Sequence, residues 1–392
     1  MSFTSGTATS VPDLIAKLDA FLTLGHSLDP IYTGNADGTI EGLVGTASSV
    51  VETITVSFTS STAFTVSGSV SGSLGSGTVG TPFTSSVCAF TVVAGSAPWA
   101  SGHTITFVMT PPWTRMRFST VENDVNSYSC WRAPGNDGIS AIYVAMQRIM
   151  NATGDYDNLR LNGYIAYDPG LGFHSQPGGM FSGGPLLPLL RVGSMPYWIA
   201  ANGRRVVIVV KVSTVYIAGY LGLIVPYLNP SAVPYPLLIG GSMAYNSEPV
   251  ATSTNWRWSV QSNFISTFPK AIGNNTVNPA DYPCRFRNTG GAFIPFSGVA
   301  RVTGNNSGGL ITPDTSVGQD LRAGPDGSYP ILPMVLSESN PPCVWGEMDG
   351  VGWVSGHANT AENTVKQNRI PWLVVQDIFR NAKQHYFALK MA

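Results

Sequence analysis

The residues best suited to ligate a metal or to act as nucleophile and base are five histidines and four cysteines. These are His26, His103, His174, His357 and His385, with Cys88, Cys130, Cys284 and Cys343. Their spacing offers neither chemistry. No CxxC pair occurs, no cysteine has a histidine at zinc-ligand distance, and HExxH and GxSxG are absent. Cysteines this sparse read as buried free thiols. The densest polar cluster is GEMDGVGWVSGHANTAEN (346–363), which holds His357 with Glu347, Asp349 and Glu362. Such a group could serve acid–base chemistry. The plainer reading is a structured loop whose acids accept from backbone N–H groups and cap turns. Glu122, Asp124 and Asp137 flank Cys130, Trp131 and Arg132. Two carboxylates across a groove could hydrolyse a glycoside, but spacing alone selects no pair. No GxxxxGK[ST] is present, and GSLGSG and GTVG sit in Ser/Thr strands rather than at a strand-to-helix turn, which argues against a phosphate cradle. The sequence therefore assigns no catalytic, metal-ligating or cofactor-binding residue. Acceptor triplets at Asn151, Asn274 and Asn305 would matter only in a secreted chain.

Composition narrows the partners. Of 392 residues 43% are hydrophobic and only 11% charged, against roughly a quarter charged in ordinary soluble domains. A disordered chain has the opposite balance, so this one folds. With a net charge of −1 and no long run of either sign, it lacks the basic stripe that nucleic acid requires. Little charge protects it from association, which suits a subunit held among neighbours. Nine tryptophans and fifteen tyrosines read as core and interface anchors, with a sugar-stacking face as the rival use. The first residues lack the basic start and apolar run of a signal peptide. Val206 to Tyr227, VVIVVKVSTVYIAGYLGLIVPY, is long enough to span a bilayer. Lys211 and the β-branched composition mark it instead as two strands of a sheet, with Gly219 and Gly222 as the break between them.

The elements follow from periodicity. Residues 11–24 form an amphipathic helix, with Ser10 as cap, Pro12 in the first turn, and Leu14, Ile15, Leu18, Phe21 and Leu22 on one side. His26 to Ser48 reads as loop with short extended pieces. Residues 53–114 contain no Asp, Glu, Lys or Arg, and 25 of these 62 are Ser or Thr. TITVSF, AFTVSG and HTITFVM alternate with period two, the pattern of strands with one buried face. The segment is expected to be a small β-sandwich without which the body folds. DGISAIYVAMQRIMN (137–151) fits a second helix, with Ile139, Ile142, Val144, Ala145 and Ile149 along one side and Asp137 or Ser140 as cap. Residues 231–350 read as loops and short strands, RIPWLVVQDIFRN as a strand with a short helical turn, and Tyr386, Phe387 and Leu389 as docked on the body. The expected fold is mainly β with a few short helices. It comprises an N-terminal helix and arm (1–48), a β-sandwich (49–115) and an antiparallel β body (116–392).

Three stretches carry a resemblance: YWIAANGRRVVIVVKVSTVYIAGYLGLIVPYLNPSAVPYPLLIGGS (197–242), GEMDGVGWVSGHANTAEN (346–363) and PWLVVQDIFRNAKQHYFALKMA (371–392). In order and character they resemble a family of tailed-bacteriophage virion structural proteins, chiefly from phages with contractile tails. GSGTVGTPFTS also resembles small β-domains of phage structural and fibre proteins. The resemblance implies a multi-copy tail or baseplate part in the virion, linking the tube or hub to surrounding baseplate proteins. It implies as partners copies of the chain itself and other structural proteins, with no nucleic acid and no membrane. It brings no catalytic motif, metal or cofactor. A receptor-binding or fibre protein gripping host glycans is the alternative, and a capsid decoration protein the third.

Overall fold

The computed structural model describes residues 2–138, 141–181, 183–227, 237–245, 257–259, 284–287, 291, 293–295, 299–301, 322–325, 327–339, 342–379, 383 and 385–391. Among them are 29 strands and one α-helix, so the chain is mainly β with antiparallel sheets.

The helix, Val11–Leu22, forms as its sequence predicts. Ser10 Oγ accepts from the Asp13 N–H at 3.3 Å, and Asp13 accepts in return from the Thr9 N–H at 2.8 Å. These bonds satisfy donors that the first turn leaves open. Val11, Leu14, Ile15, Leu18, Phe21 and Leu22 are buried in the main core. Asp19, on the same side, accepts from Trp131 Nε1 and from Arg115, both at 2.9 Å.

The body is three sheets in layers. The central one runs Ser2–Ala8, Met195–Asn202, Arg205–Val212, Val215–Leu223, Leu237–Gly240, Cys284–Arg287 and Phe293–Pro295. On one face Val206, Ile208, Val210 and Ile217 pack with the helix and with Val144, Met146, Leu159 and Leu161. Those partners belong to a second sheet of Thr114–Arg117, Ser129–Ala133, Ile142–Asn151, Tyr156–Tyr164, Gly184–Leu187 and Met243–Tyr245. On the opposite face Val207, Val209, Ala218 and Tyr220 pack with Leu336, Met348, Trp353, Phe387 and Leu389. These come from a third sheet of Val299–Arg301, Leu332–Ser339, Pro342–Trp353, Tyr386–Lys390, Ile370–Gln376 and Thr364–Gln367, extended by Val225–Pro226.

A β-sandwich stands between helix and body. One sheet contains His26–Ser27, Thr104–Thr110, Glu52–Phe58, Ala63–Gly68 and Gly72–Thr78, with Ile31–Thr33 beside Thr104–Thr110. The other is Thr39–Gly45, Cys88–Val93 and Pro82–Thr84. Ile54, Val56, Phe64 and Val66 from the first meet Ile40, Phe83, Phe90 and Val92 from the second. Strands inside 26–45, read as part of an arm, thus complete the sandwich.

Other readings need correction. Residues 142–151, expected as helix, form a strand between Ser129–Ala133 and Tyr156–Tyr164; Ile139 and Ser140 lie outside the described residues. Its apolar side chains serve two cores, so it shows no alternation. The break in 206–227 falls at Ser213–Thr214, where Ser213 takes φ 57°, and not at Gly219 or Gly222. Gly219 lies mid-strand because a Cβ there would meet Leu161 and Leu187 at 3.2 Å. After the strand Ile370–Gln376, Ile378 bridges to Tyr216 where a helical turn was expected. Leu332–Ser339 and Pro342–Trp353 are longer than the short strands expected before 350. Tyr386, Phe387 and Leu389 do dock, as a strand. Asn274 and Asn305 lie outside the described residues.

The register locates the sandwich's point of insertion. The Leu28 N–H donates to the Val108 carbonyl at 2.8 Å, so the chain enters and leaves at adjacent points. Trp113, by contrast, is buried in the body core and donates to the Asn202 carbonyl at 2.9 Å. Replacing 29–107 by a short Gly/Ser linker is expected to keep one cooperative melting transition. Deleting 53–114 is expected to abolish it, because that removes Trp113 and the strand Cys88–Val93 that pairs with Thr39–Gly45. Differential scanning calorimetry of the two variants is the check. Equal behaviour would refute the boundary.

Candidate functional site

The two acid clusters singled out in the sequence can be followed to their partners. The turn at Asn202 places the first. Asn202 Oδ1 accepts from the N–H groups of Arg204 and Arg205 at 3.0 and 3.1 Å, an Asx-type arrangement that aims both arginines across the layer. Asp349, on Pro342–Trp353, meets Arg204 Nε at 3.1 Å, Arg205 Nε at 3.6 Å and Asn202 Nδ2 at 2.8 Å. Arg205 is wholly buried and also donates to the Ala200 carbonyl at 3.1 Å. Burial alone would raise the Asp349 pKa; Arg205, Arg204 and Asn202 together outweigh it and hold the carboxyl well below the usual range.

Glu362 belongs to a separate group. It accepts from Lys211 Nζ at 2.5 Å and from the Tyr216 hydroxyl at 2.6 Å. Burial and then Glu362 push the Tyr216 hydroxyl up to about 12. Lys211 is raised chiefly by its bond to Glu362. Arg205 and Lys211 are six positions apart on one strand, about 20 Å at 3.3 Å per residue. Asp349 and Glu362 are thus anchored at opposite ends of that strand and form no general acid–base pair. Glu347 accepts from the Tyr227 hydroxyl at 2.8 Å, and the His357 N–H donates to Ser355 Oγ at 3.1 Å. The acids of 346–363 are divided among separate partners.

In the second cluster the structure brings Glu122 to a residue that sequence spacing did not select. Arg148 Nε and Nη2 grip Asp157 at 2.8–3.0 Å, while its Nη1 donates to Glu122 at 2.7 Å and to the Thr120 carbonyl at 3.1 Å. Burial raises the Asp157 pKa and Arg148 opposes the rise. Asp124 instead closes a turn, accepting from the Asn126 N–H at 2.9 Å and Ser127 Oγ at 2.8 Å. Cys130 is packed with Tyr128, Ala145, Tyr164 and Phe173. Beside Arg148 runs a groove of about 540 Å³, lined by Asn123, Val125, Gln147, Asn151 and Tyr156 among others. Its amides are engaged within the protein, Asn123 with the Met150 backbone and Gln147 with the Asp124 carbonyl and Arg160, and the Arg148 fork likewise ties the loop 118–128 to the sheet.

The remaining candidates are spread through the fold. His26 is fully buried with its ring 5.1 Å from Phe21, and burial pushes its pKa down to about 3. His103 Nδ1 accepts from the Ala100 N–H at 3.2 Å, and His174 Nδ1 lies 3.0 Å from the Met180 carbonyl. Cys88, Cys130 and Cys284 are buried free thiols whose pKa values burial pushes up to about 11, 12 and 12. Among the described residues no group of three His, Cys, Asp or Glu side chains could hold a metal. No helix among them is long and apolar enough to cross a membrane. The Arg204–Arg205 pair and Arg148 were missed in the sequence. The one signal for the pair was two adjacent arginines opening a strand whose other charge is Lys211.

Asp349 sets a test. Asp349→Asn leaves the guanidinium of Arg205 buried without its counter-charge, which costs about 3–5 kcal/mol. A carboxyl held low in the fold stabilises it fully above its unfolded pKa of about 3.9 and loses that effect as pH falls below it. The stability gap between parent and variant, from urea denaturation, is expected to be constant between pH 5 and 7 and to narrow toward pH 3. A gap that stays constant down to pH 3 would contradict the assignment.

No protein-family model and no curated protein matches the chain.

Proposed function

We propose that this chain is a non-enzymatic structural subunit of a tailed-phage particle, present in several copies in the tail or baseplate and joining neighbouring virion proteins. The observation that carries the reading is where the charges go. The chain has 43 acidic and basic residues in 392, and among the described residues eight are buried: Asp19, Glu52, Asp157, Arg160, Arg205, Arg285, Arg287 and Asp377. Asp19, Asp157 and Arg205 each pair with an opposite charge inside the fold, and the surface carries its few remaining charges among many hydroxyls, amides and apolar groups. Phe181 is 83% exposed and Val192 73%. A surface so poor in charge favours lasting association over free diffusion, and a closed ring of copies satisfies it repeatedly. The resemblance of 197–242, 346–363 and 371–392 to phage virion proteins supplies the particle.

Disrupting the gene in the phage and imaging the progeny by electron microscopy tests this. Tail-less or baseplate-defective particles are expected. Infectious particles with complete tails would overturn the proposal. The non-enzymatic part has its own check. Reproducible peptidoglycan cleavage by the purified chain, abolished by Asp157→Asn, would overturn it.

A further inference from the structure

The C-terminal hairpin Thr364–Gln367/Ile370–Gln376 closes with a two-residue turn, Gln367 facing Ile370. Asn368 and Arg369 both take left-handed backbone, φ 51° and 69°. Asn suits the first place of such a turn, but the second favours Gly, so Arg369 holds a left-handed backbone that its side chain disfavours. The side chain accounts for the choice. Its guanidinium lies 4.1 Å from the Tyr32 ring centroid and 5.4 Å from that of Trp99, and Nε donates to the Gly38 carbonyl at 3.1 Å. The hairpin tip is thereby fixed against the sandwich.

Fixing the tip forms a cleft of about 640 Å³ between sandwich and hairpin, within the roughly 300–1,000 Å³ of ligand sites. Its far wall is equally tied. The Tyr329 N–H donates to the Lys366 carbonyl at 2.8 Å, and Gly324 N–H to the Ser328 carbonyl at 2.7 Å. Three bases line it, Arg322, Lys366 and Arg369, with Asp37 as the only acid among the described residues. The Asp37 carboxylate is engaged elsewhere, by Ser96 Oγ at 2.5 Å and the Ala97 N–H at 2.7 Å. Arg322 and Lys366 are exposed and have no carboxylate partner among the described residues. Three bases in one cleft stand out in a chain with 21 in 392 residues. Asn368 and the half-buried Tyr329 ring add an amide and an aromatic face beside them.

We propose that this cleft binds an acidic saccharide, a sugar carrying carboxylate or phosphate groups, with Arg322 and Lys366 holding the anion and Asn368 and Tyr329 the sugar ring. A rigid cleft edged by bases attracts an anion. A lining of hydroxyl, amide and one aromatic ring, without a deep apolar pocket, fits a sugar better than the buried anchor of a peptide interface. The site goes beyond the scaffold role, and the two fail independently.

Calorimetric titration of the purified full chain tests it, with tri-galacturonate and mannose 6-phosphate as acidic probes and maltotriose as the neutral one. Saturable one-to-one binding of at least one acidic probe is expected, with none of maltotriose; which acidic probe binds distinguishes carboxylate from phosphate. Arg322→Ala/Lys366→Ala is expected to weaken that binding tenfold or more at an unchanged melting temperature, because both side chains are exposed and have no carboxylate partner among the described residues. Failure of both acidic probes would overturn the proposal. So would equal affinity in the double variant, maltotriose binding as well as the acidic sugars, or a tetraglutamate peptide binding as tightly.

Discussion

The strands Arg205–Val212 and Val215–Leu223 at the middle of the central sheet are covered on both faces, and the rest of the body depends on that. Along Arg205–Val212 the even positions 206, 208, 210 and 212 enter one core, and 207 and 209 enter the other. In most sheets a one-residue slip is prevented because it would turn the apolar set into water. Here both sets are apolar, so that penalty is weak. The charges at the strand's ends supply what alternation does not. Arg205 must reach Asp349 on the third sheet and Lys211 must reach Glu362. A slip would bury the Arg205 guanidinium without a counter-charge, at about 3–5 kcal/mol. The ion pairs therefore set register and layer alignment more than they add net stability.

The same constraint explains which parts of the fold were legible in the sequence. Val11–Leu22 buries one side and the sandwich strands bury one face, so periods of 3.6 and 2 identify them. The strand Ile142–Asn151 gives no such signal. Ile142, Val144 and Met146 face the main core, while Ala145 faces a second small core with Cys130 and Tyr164. Apolar residues on both sides mimic a helical stripe over so short a run. The glycines of 206–227 misled for a related reason. Gly219 makes room for Leu161 and Leu187 of the neighbouring sheet, a packing demand invisible from the strand itself. The charge partners were harder still, because Arg205 and Asp349 are joined only through the fold. Glu122 and Asp157 likewise meet through Arg148, which sat inside a segment read as helix.

The sandwich follows a different rule. Its two sheets bury one face each, so hydroxyl-rich alternation suffices, and aromatic packing fills the interior: Phe58 stacks on Trp99 at 4.2 Å between ring centroids. It closes its own core, and it meets the body through polar ties. Arg369 stacks over Tyr32 and Trp99, and Lys390 donates to Asp29 at 2.6 Å. Both ties come from the C-terminal third of the chain, although the sandwich is inserted near the start. The third sheet thus holds the body's second core and also positions the sandwich.

That division bears on how the molecule meets others. Burying a charged group is expensive unless it is paired, and Arg205, Asp157 and Asp19 each have an opposite charge within reach. Charges used this way are fixed in geometry and contribute little to long-range steering or to solubility. Exposed apolar side chains such as Phe181 and Val192 offer short-range contacts beside the surface hydroxyls and amides. Contacts of that kind act at short range and are only weakly screened by salt, unlike those between exposed charges. They suit a subunit set in place once beside fixed neighbours better than one that must capture mobile partners from a distance. The cleft at Arg322 and Lys366 departs from this pattern, since both bases are exposed there without a carboxylate partner among the described residues, where an anionic group can reach them.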